Sequence, residues 1–559
     1  MPALTSDLMK KHNQFVSQLD TDRMPYATLW RELSDNYLPQ RYRWLMSSRE
    51  YTASRARRQH IINSTGTQAA RTLAAGMMNG ITSPSRPWFK LRVPGVDQTR
   101  YRPLAIWLET VEQIMLQIMA ESNFYNAMAV LYLDLVIFGS GAILIYDDRD
   151  SVIRCYNPPL GEFYFGQSYR QSVNIFSRKF NLKIHQYIER WPDRRTWSER
   201  VKTAVLQGGA QLNQDVEISH FIAPNTGVVN QRFEYYELYW ETRRNVNDGQ
   251  ESPILEKRGF NELPGIFARW EINGQDPYGT SPGMDVLGDT IELQHLHRNK
   301  ATLLEKSHNP PTLIDIILQN RPTAMMPGGK TFVPNLTNQS GARPIFTVDP
   351  RFDQINIDQE SIEGRIRNGF YNFLFTGITN LDTVRSAAEI DSRETEKLIL
   401  LGGVLERLES EGLDPGISRI YSIAARAGLI PPPPKGFENM PLQIQYVSIL
   451  SVAQRAAGTA PTERFLSLIG NLAAVYPGAL DVPDFDRMLV NYARDIGVRE
   501  SELKDEQVRM AERQAKAEQA ASAAAVEAGG TLAQSARNLS ETKVGEGANL
   551  LQRMLGAAN

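Results

Sequence analysis

The stretch Tyr278–Pro311, YGTSPGMDVLGDTIELQHLHRNKATLLEKSHNPP, constrains the fold of this chain more than any other. Ser281 can cap a helix N-terminus, Pro282 stands where a missing N–H costs nothing, and Pro310-Pro311 forbid continuation past Asn309. This punctuation predicts one helix of roughly 25 residues, about 37 Å long at 1.5 Å per residue. Its apolar residues do not form one stripe. Met284, Leu287 and Ile291 fall on one face, and Leu293, Leu296, Leu303 and Leu304 on nearly the opposite one. Such a helix packs against different neighbours at its two ends or against two flanking helices at once. It is either the central helix of a large α domain or one stave in a ring of identical helices.

With 559 residues the chain is too long for one core, and its length suggests about three or four domains. Lys+Arg 61 balance Asp+Glu 63, whereas a protein that grips nucleic acid tightly carries a basic excess to neutralise phosphates. A single cysteine, Cys155, excludes internal disulfides and reads as a small packed residue. The start, MPALTSDLMKK, has no apolar run of signal-peptide length. The most apolar window, 129–146, contains Asp134 and Gly139-Ser140-Gly141, which argue for a buried helix turning into a strand and against a membrane span.

Residues 5–36 are expected as a helix interrupted at Pro25. A basic segment follows, with Arg41, Arg43, Arg49, Arg55, Arg57 and Arg58 interleaved with Tyr42, Trp44 and Tyr51. Arginine with aromatics serves subunit interfaces as well as nucleic acid, and an interface or solvated arm is the first reading here. Helices are expected at 61–81, 104–121 and 124–138, then a strand at 142–146. Between the first two, Pro84 and Pro87 in TSPSRPWFKL fix an extended turn that presents Trp88 and Phe89 as an apolar plug. Residues 152–275 alternate short apolar and aromatic runs (VIRCY, EFYF, FEYYELYW, GIFARW) with polar turns, which is β-rich or mixed territory.

Three blocks taken together, SPSRPWFKL, the FGSG turn after a long apolar helix, and YGTSPGMDVL followed by a double proline, resemble the portal proteins of short-tailed bacteriophages, the head-to-tail connector family. Their order and spacing cover roughly residues 20–435. The resemblance implies a mainly α, α+β portal fold: wing 1–280, first stem helix 281–308, clip 309–357, second stem helix 358–377, channel loop and long kinked wing helix 378–430, crown 431–500, and a C-terminal helical barrel or tail 501–559. It implies a ring, dodecameric in the family, at one capsid vertex of the virion, passing double-stranded DNA in packaging and ejection. The partners implied are the terminase large subunit, tail adaptors, major capsid and scaffold proteins and internal core proteins, with no membrane and no cofactor. Arg298, Lys300, Arg365, Arg367 and Arg385 are the candidates for channel contact. Gly402-Gly403 would bend the kinked helix, since adjacent glycines cost about 1 kcal/mol each against alanine in a helix interior.

Within that helix Leu398, Leu401, Leu405 and Leu408 keep helical spacing. Pro431–Pro434 form a rigid spacer and 437–500 a small helical unit. The alanine-rich stretch 499–527 is marginal as a lone helix and is either one member of a helical barrel or a disordered tail.

The most tempting enzyme motif is Ala324–Thr331, AMMPGGKT, one residue from a phosphate-binding G-x-x-x-x-G-K-[ST]. Such a loop needs a helix starting at the lysine, and Phe332-Val333-Pro334 follows Lys330-Thr331 instead. His295 and His297 point about 160° apart on a helix and cannot share one metal. No G-x-S-x-G elbow is present, and a turn explains Asp147-Asp148. An ATPase built on Lys330, or a scaffold or tail adaptor without a channel, are the competing readings.

Overall fold

The computed structural model describes residues 2–41, 61–95, 101–242, 254–308, 312–313, 343–344, 352–376, 402–437, 442–446, 464–472, 476, 483–495, 502, 504 and 506–541. The first helix, α1 (Pro2–Tyr37), continues through Pro25 without interruption. Pro25 forfeits one helical hydrogen bond, but tertiary contacts hold both sides of it. Arg23 donates to the carbonyls of Gly161 at 2.8 Å and Phe163 at 3.2 Å, and Trp30 packs edge-on against Tyr278 with ring centroids 4.9 Å apart.

After α1 come α2 (Thr65–Ile81), strand β1 (Phe89–Arg92), α3 (Arg102–Glu121) and α4 (Phe124–Phe138). All but a few side chains of α4 are buried, and its end is set by Gly139 in the left-handed region at φ 75°. The chain then becomes β2 (Ser140–Asp148), β3 (Val152–Tyr156), β4 (Phe163–Gln167), β5 (Val173–Lys183), short helices α5 (Ile184–Arg190) and α6 (Glu199–Gln207), β6 (Asp215–Pro224), β7 (Tyr235–Glu241), β8 (Ile254–Phe260) and β9 (Gly265–Arg269).

Two sheets result, of order β3-β2-β9 and β4-β5-β6-β7-β8, with every pairing antiparallel. Alternation along the strands sends Val216, Ile218 and Tyr239 to one face of the larger sheet, against Tyr187, Trp191 and Trp197. Phe221, Tyr236, Leu238 and Trp240 go to the other, against Val16 and Leu19 of α1.

A polar centre lies buried where β2 meets the larger sheet. Arg178 donates to Nδ1 of His220 at 3.0 Å, His220 Nε2 bonds Glu237 Oε1 at 2.7 Å, and Tyr146 and Tyr239 donate to the same carboxylate. Donation into Nδ1 requires that nitrogen to be unprotonated, so His220 is neutral and gives its Nε2 proton to Glu237. Burial accordingly pushes His220 down to about 4. Burial pushes Glu237 the other way, but the hydrogen bonds from His220 and Tyr146 outweigh it and hold the carboxyl below its usual range.

Both depressed values stabilise the fold above the unfolded values, and that stability is lost as pH falls: first through the imidazole, from about 6.5 down, then through the carboxyl below about 4.5. Glu237→Gln should therefore lower stability at pH 7.5 by about 3 kcal/mol, the cost of breaking one partner out of a buried charged network. It should also steepen the acid limb between about pH 6.5 and 4 in urea unfolding, because Glu237 is the group that holds the His220 imidazole up against burial; an unchanged acid limb would remove this centre from the account.

Beyond the sheets come the single turn α7 (Pro282–Asp285), α8 (Leu287–His308), two-residue strands β10 (Thr312–Leu313) and β11 (Arg343–Pro344), α9 (Phe352–Gly369) and the turn α10 (Phe373–Thr376). A helical stretch follows: α11 (Gly402–Arg407), a π turn at Leu408–Leu413 and α12 (Asp414–Arg426). Strand β12 (Gln443–Tyr446) pairs antiparallel with β1, within the span expected to be a helical unit. The chain divides into two compact units, and one of its passages between them falls inside the Pro431–Pro434 run. The second unit holds α13 (Phe485–Asp495) and α14 (Glu506–Glu541) and carries a two-pronged ion pair, Arg513 to Asp486 at 2.6 Å for both bonds. The described side chains of α14 are exposed, apart from half-buried Arg509.

The fold is thus α+β and mainly helical. Among the described residues no helix is long and apolar enough to cross a membrane.

Candidate functional site

Two of the motif blocks interlock at the root of α8. Gly139 and Gly279 lie backbone to backbone: a Cβ on Gly139 would sit 2.7 Å from the Gly279 carbonyl carbon and 2.8 Å from the Thr280 oxygen. Ser140 Oγ accepts from the Gly279 N–H at 2.9 Å, and the Trp270 N–H donates to the Gly139 carbonyl at 2.9 Å. Ser281 caps the helix as expected, its hydroxyl accepting from Met284 N at 3.2 Å. The same hydroxyl donates to the Ile137 carbonyl at 2.7 Å, tying the cap to the last turn of α4. FGSG and YGTSPG are therefore two halves of one joint, and glycine is required where the backbones touch.

From this joint the expected single helix emerges in two pieces, α7 and α8, with Val286 between them. Only its first half is held by the body. Leu287, Thr290, Leu293 and Gln294 are buried, whereas no residue from His295 to His308 is. The change of buried side predicted from the apolar pattern is a change from packed to projecting.

Helix α9 lies antiparallel beside it. Arg365 bridges Asp289 at 3.0 Å and Glu292 at 2.9 Å near one end, while Lys300 Nζ donates to Asn356 Oδ1 at 2.6 Å and Gln359 Oε1 at 3.3 Å further along. Asn63 wedges in from the start of α2, bonding His297 Nε2 at 2.9 Å and Glu363 Oε1 at 3.0 Å, and Gln294 accepts from the backbone N–H groups of Ile62 and Asn63.

Of the basic residues singled out in the sequence, Arg365 and Arg367 are committed to carboxylates, the latter to Glu363 at 3.0 Å. Among the described residues Lys300 bonds only neutral amide oxygens. Arg298 is exposed on the projecting half. Arg385 and the Lys330 loop lie outside the described residues, as do most of the basic segment after Arg41 and the approach to Gly402-Gly403. Gly402 and Gly403 themselves open α11, with nothing within 4 Å of a Cβ on either. The irregularity that is described comes at the π turn, Leu408–Leu413.

Sequence reasoning missed what holds that turn. Arg269, fully buried at the end of β9, forms a two-pronged pair with Glu411 at 2.7 and 3.0 Å and also donates to the carbonyls of Asp276 and Gln171. Gly412 and Gly416 let the helix lie against Ile266. Further on, Arg419 bonds Glu262 at 2.6 Å and the Ile145 carbonyl at 3.1 Å. In GIFAR the lone charged residue of an apolar run marks Arg269 as a buried group in need of a partner, without saying which partner.

Among the described residues no group of His, Cys, Asp and Glu could hold a metal. Cys155 is buried, and that burial pushes its thiol up to about 12, far from a reactive thiolate.

Comparison with known proteins agrees with this architecture. The chain is 34% identical over 541 residues to the portal protein of Salmonella phage epsilon15, covering 95% of each chain. It is 32% identical over 486 residues to the probable portal protein of Bordetella phage BPP-1, covering 86% of each. A chain of the solved neck of an empty GTA particle, computed with C6 symmetry, aligns over 75% of this chain and 89% of its own, at 10% identity and a TM-score of 0.32, too low to carry an argument. The profile of the bacteriophage head to tail connecting proteins matches residues 9–503, and the chain belongs to that family.

Proposed function

We propose that this chain is the repeating subunit of a ring-shaped portal at one vertex of a phage capsid, through which double-stranded DNA is packaged and ejected and to which the tail attaches. The observation that carries the reading is similarity to proteins named as portals along nearly the whole length of both chains. The helix pair α8 and α9 supports it physically. Two helices projecting from a body, with exposed flanks and few buried residues, suit a stem whose remaining partners are further copies of the same chain.

In this reading α8 and α9 are the stem, the chain between them the clip, the segment up to α12 the channel loop and kinked helix, and α14 one member of a helical barrel. A twelve-fold ring, a terminase large subunit as motor, and adaptor, capsid, scaffold and internal core proteins as neighbours belong to the same proposal. So does a structural role in the virion without catalysis.

Charge makes the conduit plausible. Arg365 and Arg367 are paired with carboxylates, and the other charges along the two helices, Arg298, Lys300 and Lys306 against Glu305, Asp353, Asp358 and Glu360, nearly cancel. A wall repeated around a ring multiplies any net charge, and a near-balanced one lets DNA slide, whereas many phosphate contacts would hold it.

Electron microscopy of the purified full-length protein should show rings with a central hole; single compact particles at every concentration would overturn the reading. Arg298→Glu and Arg385→Glu should leave rings intact and lower packaged genomes about tenfold, as expected for circles of lost phosphate contacts. Lys330→Ala should leave nucleotide hydrolysis by the purified protein unchanged; a loss would favour the motor alternative.

A further inference from the structure

The block TSPSRPWFKL has no part in the channel reading, yet it builds a defined structure. The Trp88 ring lies nearly parallel to Phe124 and to Tyr446, with centroids 6.4 Å apart in both cases and interplanar angles of 5° and 13°. Phe89 pairs with Tyr446 across the β1–β12 ribbon. Thus oriented, Tyr446 donates its hydroxyl to Asp414 Oδ1 at 2.5 Å.

Asp414 closes the π turn, its backbone N–H bonding to the carbonyl of Glu409. That i→i+5 bond stacks the two residues one turn apart on the helix. The groups acting on Glu409 and Asp414 are Glu406 on the same helix, Tyr446 of β12 and Tyr132 of α4, whose hydroxyl is bonded to Thr82 Oγ1 at 3.0 Å. No lysine or arginine among the described residues is paired with Glu406, Glu409 or Asp414.

The two flanks of the turn differ. From Glu411 onward the turn is held by Arg269, and α12 by Arg419 and Gly416, while α11 on the other side has no buried residue.

We propose that the π turn is a proton-operated latch: with Glu409 protonated the turn closes and Tyr446 holds Asp414, and ionisation of Glu409 loosens the turn from the β1–β12 ribbon and frees the α11 end. Interconversion between an i→i+5 and an i→i+4 turn is a one-residue change of helix register, so a small electrostatic bias at the turn rotates everything N-terminal to it by about 100°.

The direction of the pH dependence follows from the surroundings. Burial first, then the neighbouring Asp414 and Glu406 carboxylates, push Glu409 from 4.5 to about 7. Burial also raises Asp414, against the opposing hydrogen bond from Tyr446. A raised carboxyl binds its proton more tightly in the closed state. Closure is therefore strongest below about 4.5, weakens as pH rises, and reaches its open-biased limit above about 7. Because Glu409 is only half-buried, solvent reduces the full linkage.

Hydrogen–deuterium exchange on the full-length protein without DNA tests the latch independently of any channel role. After correction for intrinsic exchange, protection of residues 408–414 and 442–446 should fall at least tenfold between pH 5.5 and 8. Glu409→Gln should keep the pH 5.5 protection at pH 8, Asp414→Asn should shrink the fall, and Tyr446→Phe should show low protection at both pH values. A flat wild-type profile, or a fall of wild-type size in Glu409→Gln or Asp414→Asn, would overturn the proposal.

Discussion

Gly139→Ala should abolish the native body of this protein, with a loss of more than about 4 kcal/mol, read as insolubility or as the disappearance of the main cooperative unfolding transition. The conformation alone, φ 75°, costs an alanine about 1–2 kcal/mol. The larger part comes from backbone that cannot move. The new Cβ would fall 2.7 Å from the Gly279 carbonyl carbon and 2.8 Å from the Thr280 oxygen, and the Thr280 N–H is itself bonded to Glu271. Relief would require withdrawing the Tyr278–Ser281 segment, and with it the Ser281 cap and the start of α8. Gly402→Ala and Gly403→Ala make the internal control. Neither glycine is strained or crowded, so each substitution should be neutral or stabilise by up to about 1 kcal/mol.

This contrast also marks what could be read from the sequence. Gly139 was legible because it ends an apolar run too long for anything but a buried helix, and the chain after it alternates like a strand. Ser281-Pro282 was legible because capping is local chemistry. The bend assigned to Gly402-Gly403 rests on propensity, whereas the π turn six residues later is set by a partner some 140 residues away in sequence, Arg269. No local signal specifies that contact. The start of α9 at Phe352, against the expected Asp358, was available: Pro350 precedes it and Asp353 lies in its first turn. Strand β12 was not, since four residues, QIQY, are too few for periodicity to decide, and their partner β1 is more than 350 residues earlier.

The candidate site divides in the same way. Arginine on an exposed helix suggested channel contact, but charge alone cannot tell a free cation from one committed to a neighbour, and Arg365 and Arg367 proved to be committed.

Commitment also decides where removal of an arginine hurts most. Arg365 is half exposed, and pairs of that kind contribute about 0–1 kcal/mol, so Arg365→Ala should barely move the unfolding transition. Arg269 has no exposed surface and serves four acceptors on three segments: both oxygens of Glu411, the Asp276 carbonyl and the Gln171 carbonyl. Arg269→Ala leaves a largely buried carboxylate and two carbonyls without their donor, which predicts a loss of about 3–5 kcal/mol in urea unfolding. Lysine should rescue little, because one ammonium cannot reproduce the planar fork that meets Glu411 with two bonds. Glu411→Gln should cost less than Arg269→Ala, since it removes a charge yet leaves an acceptor and spares the two carbonyl bonds. If Arg269→Ala and Arg365→Ala proved equally mild, the π turn would be held by apolar packing on Ile266 alone, and the buried fork would have no role in fixing the register of this helix.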